Sequence, residues 1–288
     1  MRSIFSLLII LSVPITGMGT QFLVLPSSAE ELSMGSHAVL PALFPINPAL
    51  FSAPKKYPHF SINRGSWLGD VTLTHIGYNQ AWDNKTTHFG IKYSGLTDIE
   101  FRENIPQDNA FSSFSAYGLA MDAGISIDRE DQKFGFSISY IDLGLYTERT
   151  SGFGLNLGYA LDLKNGINIG LAVQNIGRMK TLSFKTPSLP MRLSTGASKL
   201  IRSDRFVNNI FGSVEWNSVV AASKIYLGNR FSWNRLDILA GYSTSKEVVE
   251  SSIGIGLNLN RYHISYGVRI GSQDLGIPKV LSVRLLLP

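Results

Sequence analysis

The chain of 288 residues contains no cysteine, which excludes disulfide bonds, thiolate metal sites and catalysis by a thiol. Charged residues are also scarce: they make up 16% of the chain, well below the roughly 25% that is usual in soluble domains. The formal net charge is +5, and the Lys and Arg residues are scattered, without a run of five like charges. We therefore expect no nucleic-acid partner.

Long hydrophobic runs are missing as well. Beyond the N-terminus, no uninterrupted apolar run in the sequence reaches the length of about 20 residues that a membrane-spanning helix needs. Near the N-terminus, Arg2 precedes a short apolar run at residues 4–13, which is followed by Pro14 and by the small residues Gly17 and Gly19. The alternative is a membrane anchor, but the run is too short for one. The pattern predicts a signal peptide at residues 1–19 and an exported protein without a membrane helix.

Motifs that carry catalytic or metal chemistry are absent from the sequence. The histidines show neither HxxxH nor HExxH spacing, and no GxSxG nucleophile motif occurs. The glycine-rich stretch 152–158 follows a strand pattern and opens no helix. The sequence therefore predicts a protein that is not an enzyme and that uses no metal and no cofactor.

The sequence is rich in stretches where apolar residues alternate with small or polar ones. In residues 251–259, Ile253, Ile255 and Leu257 alternate with Ser, Gly and Asn, and residues 262–270 repeat the pattern. Successive side chains of a strand point to opposite faces, so each half is a strand with one apolar face. Asn260 and Arg261 leave room only for a tight turn between the halves.

The same unit recurs along the chain and predicts about fourteen strands. Their expected limits are 58–65, 67–79, 86–96, 113–128, 132–143, 149–162, 166–176, 189–201, 206–217, 221–232, 234–245, 250–260, 261–272 and 279–287. Most have the ~9–14 residues of a tilted membrane strand. Short connections alternate with longer ones, and the longest predicted loops are 97–112 and 176–189. The predicted fold class is all-β: a transmembrane antiparallel up-and-down β-barrel.

The composition of the two strand faces indicates what covers the apolar one. A soluble sandwich or lipocalin-like barrel, the alternative, would need a charged outer face, whereas the polar face here is mostly Gly, Ser, Asn and Ala. Aromatic residues near strand ends resemble a membrane-interface belt: Trp67, Tyr78, Tyr93, Tyr140, Tyr159, Trp216, Tyr242 and Tyr262. We therefore expect lipid outside the barrel. We expect paired polar residues in its lumen: Asp122, Asp128, Asn156, Gln174, Arg192, Arg230 and Arg269.

Residues 20–56 follow a different pattern from the rest of the chain. Ser27 or Ser28 can cap a short helix that begins at Ala29 and that Gly35 ends, and several prolines follow it. A segment of this kind cannot form a hydrophobic core alone, so it must pack on or inside the barrel. The predicted organisation is a signal peptide at 1–19, an N-terminal hatch at 20–56 and a barrel at 57–288.

The hatch segment contains three short stretches close to the motifs FLxLPxSAR, MGG and NPA, which it follows at Phe22, Leu25, Pro26, Ala29, Met34, Gly35, Asn47, Pro48 and Ala49. On these residues it resembles the opening of the PorV/PorQ family of outer-membrane proteins, and more closely that of PorQ. The chain departs from those motifs at Glu30, Glu31 and Ser36.

The resemblance implies a fold and a function. Proteins of this family are fourteen-stranded barrels similar to the fatty-acid transporter FadL, and they hold secreted or cell-surface proteins for the type IX secretion system. We accordingly expect an outer-membrane scaffold in a Gram-negative-type envelope, with lipid and a secretion partner as its contacts. The candidate partner loop contains Asp98, Glu100, Phe101, Arg102 and Glu103.

The second hypothesis is a FadL-like transporter of hydrophobic molecules. It requires an apolar pocket beside the hatch, near Phe22, Leu25 and Phe51. A lumen that is packed solid with side chains would rule it out.

Overall fold

The computed structural model describes residues 19–54, 57–101, 112–246, 248–271 and 276–288, with the backbone alone at 98, 101 and 112. The predicted signal peptide, apart from Gly19, lies outside this part of the chain. Within it, no helix combines the length and apolar character that a membrane crossing would need.

Fourteen antiparallel strands form a closed barrel, which confirms the predicted fold class. Each strand pairs with its neighbours in sequence, and β1 closes the ring against β14. The strands are β1 (His59–Ser66), β2 (Thr72–Trp82), β3 (Lys85–Phe101), β4 (Ser112–Arg129), β5 (Gln132–Leu145), β6 (Glu148–Leu163), β7 (Ile167–Met179), β8 (Arg192–Arg202), β9 (Val207–Asn217), β10 (Ala222–Trp233), β11 (Leu236–Thr244), β12 (Val249–Leu259), β13 (Tyr262–Gly271) and β14 (Lys279–Leu286).

One strand extends well beyond its predicted limit. β3 continues to Phe101 where its predicted end is residue 96, so residues 97–101 of the predicted loop 97–112 belong to a strand. β4 begins at Ser112, one residue before its predicted start. The pairing register shifts between Leu96 and Ile99, and this irregularity interrupts the alternation from which the strand end was predicted. β2 begins five residues later than predicted, since residues 68–70 form a 3-10 turn in which Gly69 has φ of 67°.

Tight turns join the strands at one end of the barrel. Residues 83–84, 130–131, 234–235 and 260–261 each connect two strands, and the first residue of each turn has φ between 49° and 56°. Asp and Asn tolerate this left-handed conformation better than most residues, which explains three of the four. We call this the turn end, and the opposite end, with connections 102–111 and 180–191, the loop end.

The wall has one apolar face and one face of small and polar residues. Ile253 and Ile255 are 59% and 54% exposed on the outside, whereas Ser265 and Ser282, which point inward, are almost fully buried. This division is the one that the alternation predicts. Trp67 was wrongly assigned to the outer belt: it packs against the hatch and lies 5.7 Å from the Arg269 guanidinium, over the lumen.

The hatch passes through the lumen from the loop end towards the turn end. Thr20 donates a hydrogen bond to the carbonyl of Ser188, in the loop-end connection between β7 and β8. The helix α1 (Ala29–Met34) then packs against β10 to β14. A further turn (Pro48–Leu50) contacts β4, β5 and β6 before β1 begins.

Candidate functional site

The hatch helix has the capping residues that its sequence predicts. Ser28 accepts a hydrogen bond from the Glu31 amide at 3.2 Å, and the Glu31 carboxylate accepts one from the Ser27 amide at 2.8 Å. Gly35, with φ of 99°, ends the helix. These reciprocal contacts satisfy amides that would otherwise be buried without partners. They also explain why an acid occupies position 31, where the chain departs from the family motif.

The helix lies directly on glycines of the wall. A Cβ atom added at Gly267 would be 2.6 Å from the Ala29 carbonyl oxygen, and one at Gly228 would be 2.7 Å from the Met34 carbonyl oxygen. Gly241 and Gly254 face Ser33 in the same way. Because any side chain at these positions would occupy the space of the helix, the glycines allow the hatch to lie against the strands.

A buried carboxylate fixes the helix to the strands on which it packs. Glu30 is 2% exposed, and its Oε2 lies 2.9 Å from Arg284 Nη2 and 3.4 Å from Arg230 Nη2. Burial on its own would raise the pKa of this carboxyl, but the two guanidinium groups and His263 lower the pKa to about 2. Glu30 is therefore ionised and paired, as a buried charge requires.

The second hatch motif is held by its asparagine. Asn47 is fully buried, and its side-chain nitrogen donates to the carbonyls of Ala38 at 2.8 Å and Tyr159 at 2.9 Å. Its oxygen accepts a hydrogen bond from the Ala49 amide at 3.0 Å, which starts the turn at Pro48. The motif residues thus determine the path of the chain within the lumen.

Near the loop end, an apolar cavity of about 320 Å³ separates the hatch from the wall. Phe22 borders it from the hatch, and β3, β4 and β5 supply most of the other residues. The lining consists of Gly19, Phe22, Val71, Ser94, Gly95, Leu96, Ala116, Tyr117, Gly118, Leu143, Gly144, Leu145 and Leu182. None of these residues is charged, so the cavity suits an uncharged apolar molecule.

A smaller, polar cavity of about 60 Å³ lies deeper in the lumen, towards the turn end. Its lining includes Lys92, Asp122, Arg192 and Gln174, together with Leu25 and Phe51 of the hatch. Buried polar atoms without a protein partner, Arg192 Nε and Gln174 Oε1, border it. A cavity of this size and polarity suits a few water molecules.

The structure brings together the hatch residues that the sequence singled out. Phe22 borders the apolar cavity and Leu25 the polar one. Pro26, Ala29 and Met34 are buried in the lumen beside them, and Gly35 packs against Tyr226.

The candidate partner loop is only partly described. Glu100 is exposed near the end of β3, and the backbone of Asp98 and Phe101 belongs to the same strand. The loop assignment was therefore wrong for these three residues, because pairing with β4 continues past the register shift. Arg102 and Glu103 lie outside the described residues.

Lys92 and Leu143 were not singled out from the sequence, although they border the two cavities. The available signal was a lysine on the inward face of β3, between Gly90 and Ser94.

Comparisons with known proteins extend the fold assignment. No protein-family model matches the chain, and no curated protein matches it. Among solved structures, the P. putida toluene transporter TodX is 12% identical, with a TM-score of 0.67 over 90% of this chain and 98% of that one. The CymD monoaromatic hydrocarbon channel is 11% identical, with a TM-score of 0.65 over 91% and 97%. The Ralstonia pickettii toluene transporter TbuX is 11% identical, with a TM-score of 0.57 over 95% and 99%.

These similarities span nearly the whole of each chain. At 11–12% identity they concern the fold, and they support the expected FadL-like barrel. The finer PorV/PorQ relationship stays a prediction.

Proposed function

We propose that this protein is an outer-membrane channel for small, uncharged hydrophobic molecules. The observation that carries the proposal is the apolar cavity of about 320 Å³ beside Phe22, lined by described residues of which none is charged. A dry cavity of about 150 Å³ already accommodates benzene in other proteins. The space beside the hatch is therefore large enough for a substituted aromatic ring or a short hydrocarbon.

The structural relatives support the same class of molecule. The names of TodX and TbuX describe toluene transporters, and that of CymD a monoaromatic hydrocarbon channel. A channel of this kind has to desolvate the hydrophobic molecule and let it pass, and it forms no covalent bond. We therefore assign the barrel no enzymatic activity. We place it in the outer membrane of a Gram-negative-type envelope, where the polar surface of the outer leaflet slows hydrophobic solutes.

Uptake of radiolabelled toluene by intact Gram-negative cells that lack a channel of this kind would test the proposal. Cells that express the barrel should accumulate toluene faster than cells with an empty vector. Leu143→Asp should abolish the gain, because a carboxylate in the apolar cavity must be desolvated when the solute binds. Leu143→Met is the matched control and should keep the gain, since it preserves volume and apolarity.

Two outcomes would count against the channel. One is equal uptake with and without the barrel, and the other is equal uptake by both Leu143 variants when each migrates on a gel as a folded, heat-modifiable barrel. Ala116→Trp, which fills the same cavity without a charge, is the second variant if Leu143→Asp does not fold.

The secretion scaffold that the PorV/PorQ resemblance implies remains a second candidate. The resemblance is concentrated in the hatch, where Phe22 and Asn47 are buried inside the lumen. Purification of the barrel from native membranes tests this role. Recovery of a secretion or cell-surface protein in stoichiometric amount would support it, and recovery of the barrel alone would not.

A further inference from the structure

A short piece of the hatch separates the two cavities. Phe22 borders the apolar cavity, whereas Leu23 and Leu25 border the polar one. The piece includes the end of a 3-10 turn over Thr20–Val24, and the amide of Leu25, which follows the turn, donates to the Phe22 carbonyl at 3.3 Å. We call residues 22–25 the partition. Phe22 also packs in an apolar cluster with Ile141 and Leu143, and Leu23 and Leu25 pack against that cluster.

Lys92 of β3 anchors the backbone of the partition. Its Nζ donates to the Leu23 carbonyl at 3.0 Å and to the Leu25 carbonyl at 2.7 Å, so one ammonium group holds two carbonyls of the partition to the wall. The side chain is 6% exposed and borders the polar cavity. Within the described part of the chain, Lys92 takes part in no ion pair.

Stability alone does not account for a lysine at this position. The Glu31 and Asp122 carboxylates line the same cavity and act favourably on the charge of Lys92, but neither is paired with it directly. Burial of an ammonium group in this arrangement is costly, and an apolar side chain of the same length would avoid the cost. The contacts that the lysine makes are all with the partition or with the polar cavity. Its presence is therefore best explained by what it does to the partition.

We propose that Lys92 is the positioning residue that keeps the partition closed between the apolar and the polar cavity. The proposal rests on the channel function, since it identifies the barrier that a molecule in the apolar cavity meets next. The polar cavity extends to Phe51 and His88, nearer the turn end. It therefore lies on the turn-end side of the partition, and the apolar cavity lies on the loop-end side. Release of the two carbonyls by Nζ lets residues 22–25 move and joins the two spaces.

Ion conductance across planar lipid bilayers tests the proposal without any hydrophobic solute. The wild-type barrel should conduct poorly, and Lys92→Met should raise the conductance several-fold, because the partition loses both hydrogen bonds while the volume of the side chain is retained. Lys92→Arg should stay close to wild type, since a guanidinium can still donate to both carbonyls. Lys224→Met is the matched control: it removes a lumen lysine that pairs with Glu250, away from the partition.

A second readout uses the absence of native cysteine. In a Leu23→Cys background, a water-soluble maleimide should label residue 23 faster when Lys92 is replaced by Met than when it is retained. Unchanged conductance together with an unchanged labelling rate, in a variant that migrates as a folded barrel, would overturn the proposal. If Lys92→Met does not fold, Lys92→Gln takes its place, since the amide is too short to reach both carbonyls.

The two proposals fail separately. If the barrel gives no toluene uptake but its ion conductance rises when Lys92 is replaced, the proposal for Lys92 holds and the proposed transport function fails. A barrel that takes up toluene but responds to Lys92→Met in neither readout is a channel without this barrier.

Discussion

At the scale of single residues, Glu30 shows how an unexpected side chain acquires a role. The PorV/PorQ motif that the hatch resembles has a basic residue at this position, whereas the Glu30 carboxylate lies between Arg284 of β14 and Arg230 of β10, on the wall against which α1 packs. The Ala29 amide donates to Ser282 Oγ on the same strand as Arg284, at 2.8 Å. The acidic side chain of Glu30 in the hatch thus matches the charge of the two arginines on the barrel wall.

The pairing of Glu30 makes a prediction about pH. Its pKa, about 2, is below the ordinary value of 4.5. The stabilisation is therefore complete above pH 4.5 and is lost as pH falls from 4.5 towards 2, amounting to about 3 kcal/mol in all. Glu30→Gln should lower the melting temperature of the detergent-solubilised barrel at pH 7, and the difference from wild type should shrink across that interval.

Glu148→Gln is the control for this experiment, since Glu148 is exposed at the start of β6. It should change the melting temperature little at either pH. A gap between wild type and Glu30→Gln that stays constant from pH 7 to pH 3 would show that the ion pairs do not set the stability.

At the scale of elements, the agreement between hatch helix and wall was partly readable in the sequence. Ser27 or Ser28 was expected to cap the helix, and the structure shows that it is Ser28, while Gly35 ends the helix as predicted. The partners of the helix were not predictable, because Gly228 and Gly267 meet it only after strands far apart in sequence have paired around it. The extension of β3 was not predicted for a similar reason. The alternation of apolar and polar residues in β3 breaks at the register shift, and the strand continues beyond that point because it pairs with β4.

Close packing of α1 on the wall predicts the effect of enlarging one glycine. Gly267→Val should displace the helix and destabilise the barrel by about 1–3 kcal/mol, as overpacking of a tight contact does. Gly212→Val is the control, because a Cβ atom there meets nothing nearer than Leu227 Cδ2 at 3.9 Å. Urea unfolding followed by tryptophan fluorescence measures both. Equal loss of stability in the two variants would mean that strand propensity, and not the hatch contact, is the cause.

At the scale of the whole molecule, the alternation of two faces was sufficient to predict a closed all-β barrel. The two faces could be predicted because apolar residues alternate with small or polar ones along most strands, for example from Phe134 on β5 to Ile270 on β13. The cavities could not be read, since each is a space left between the hatch and three or more strands. Their position depends on packing that no local pattern encodes.

The exposed apolar face makes a prediction about depth in the membrane. Ile255 is 54% exposed near the middle of β12, and Leu259 is the last residue of the same strand. Ile255→Arg should cost about 2–4 kcal/mol of unfolding free energy in lipid vesicles, and Leu259→Arg about 0–1 kcal/mol. Equal costs would show that no hydrocarbon layer surrounds the barrel at these strands.

The ring closes where its two shortest strands meet, with eight residue pairs between β1 and β14. The hatch spans this seam: Leu32 packs with Val280 of β14 and Leu73 of β2, and His75 of β2 bonds to the Ser27 carbonyl at 2.7 Å. Expulsion of the whole hatch from the lumen would therefore also remove the contacts that connect β14 with β2 across the closing strands. Phe22 packs on Gly118 of β4 and Leu143 of β5, away from these closing strands. In the proposed channel, a solute would therefore pass beside Phe22, at β4 and β5, while α1 stays bound across the strands that close the ring.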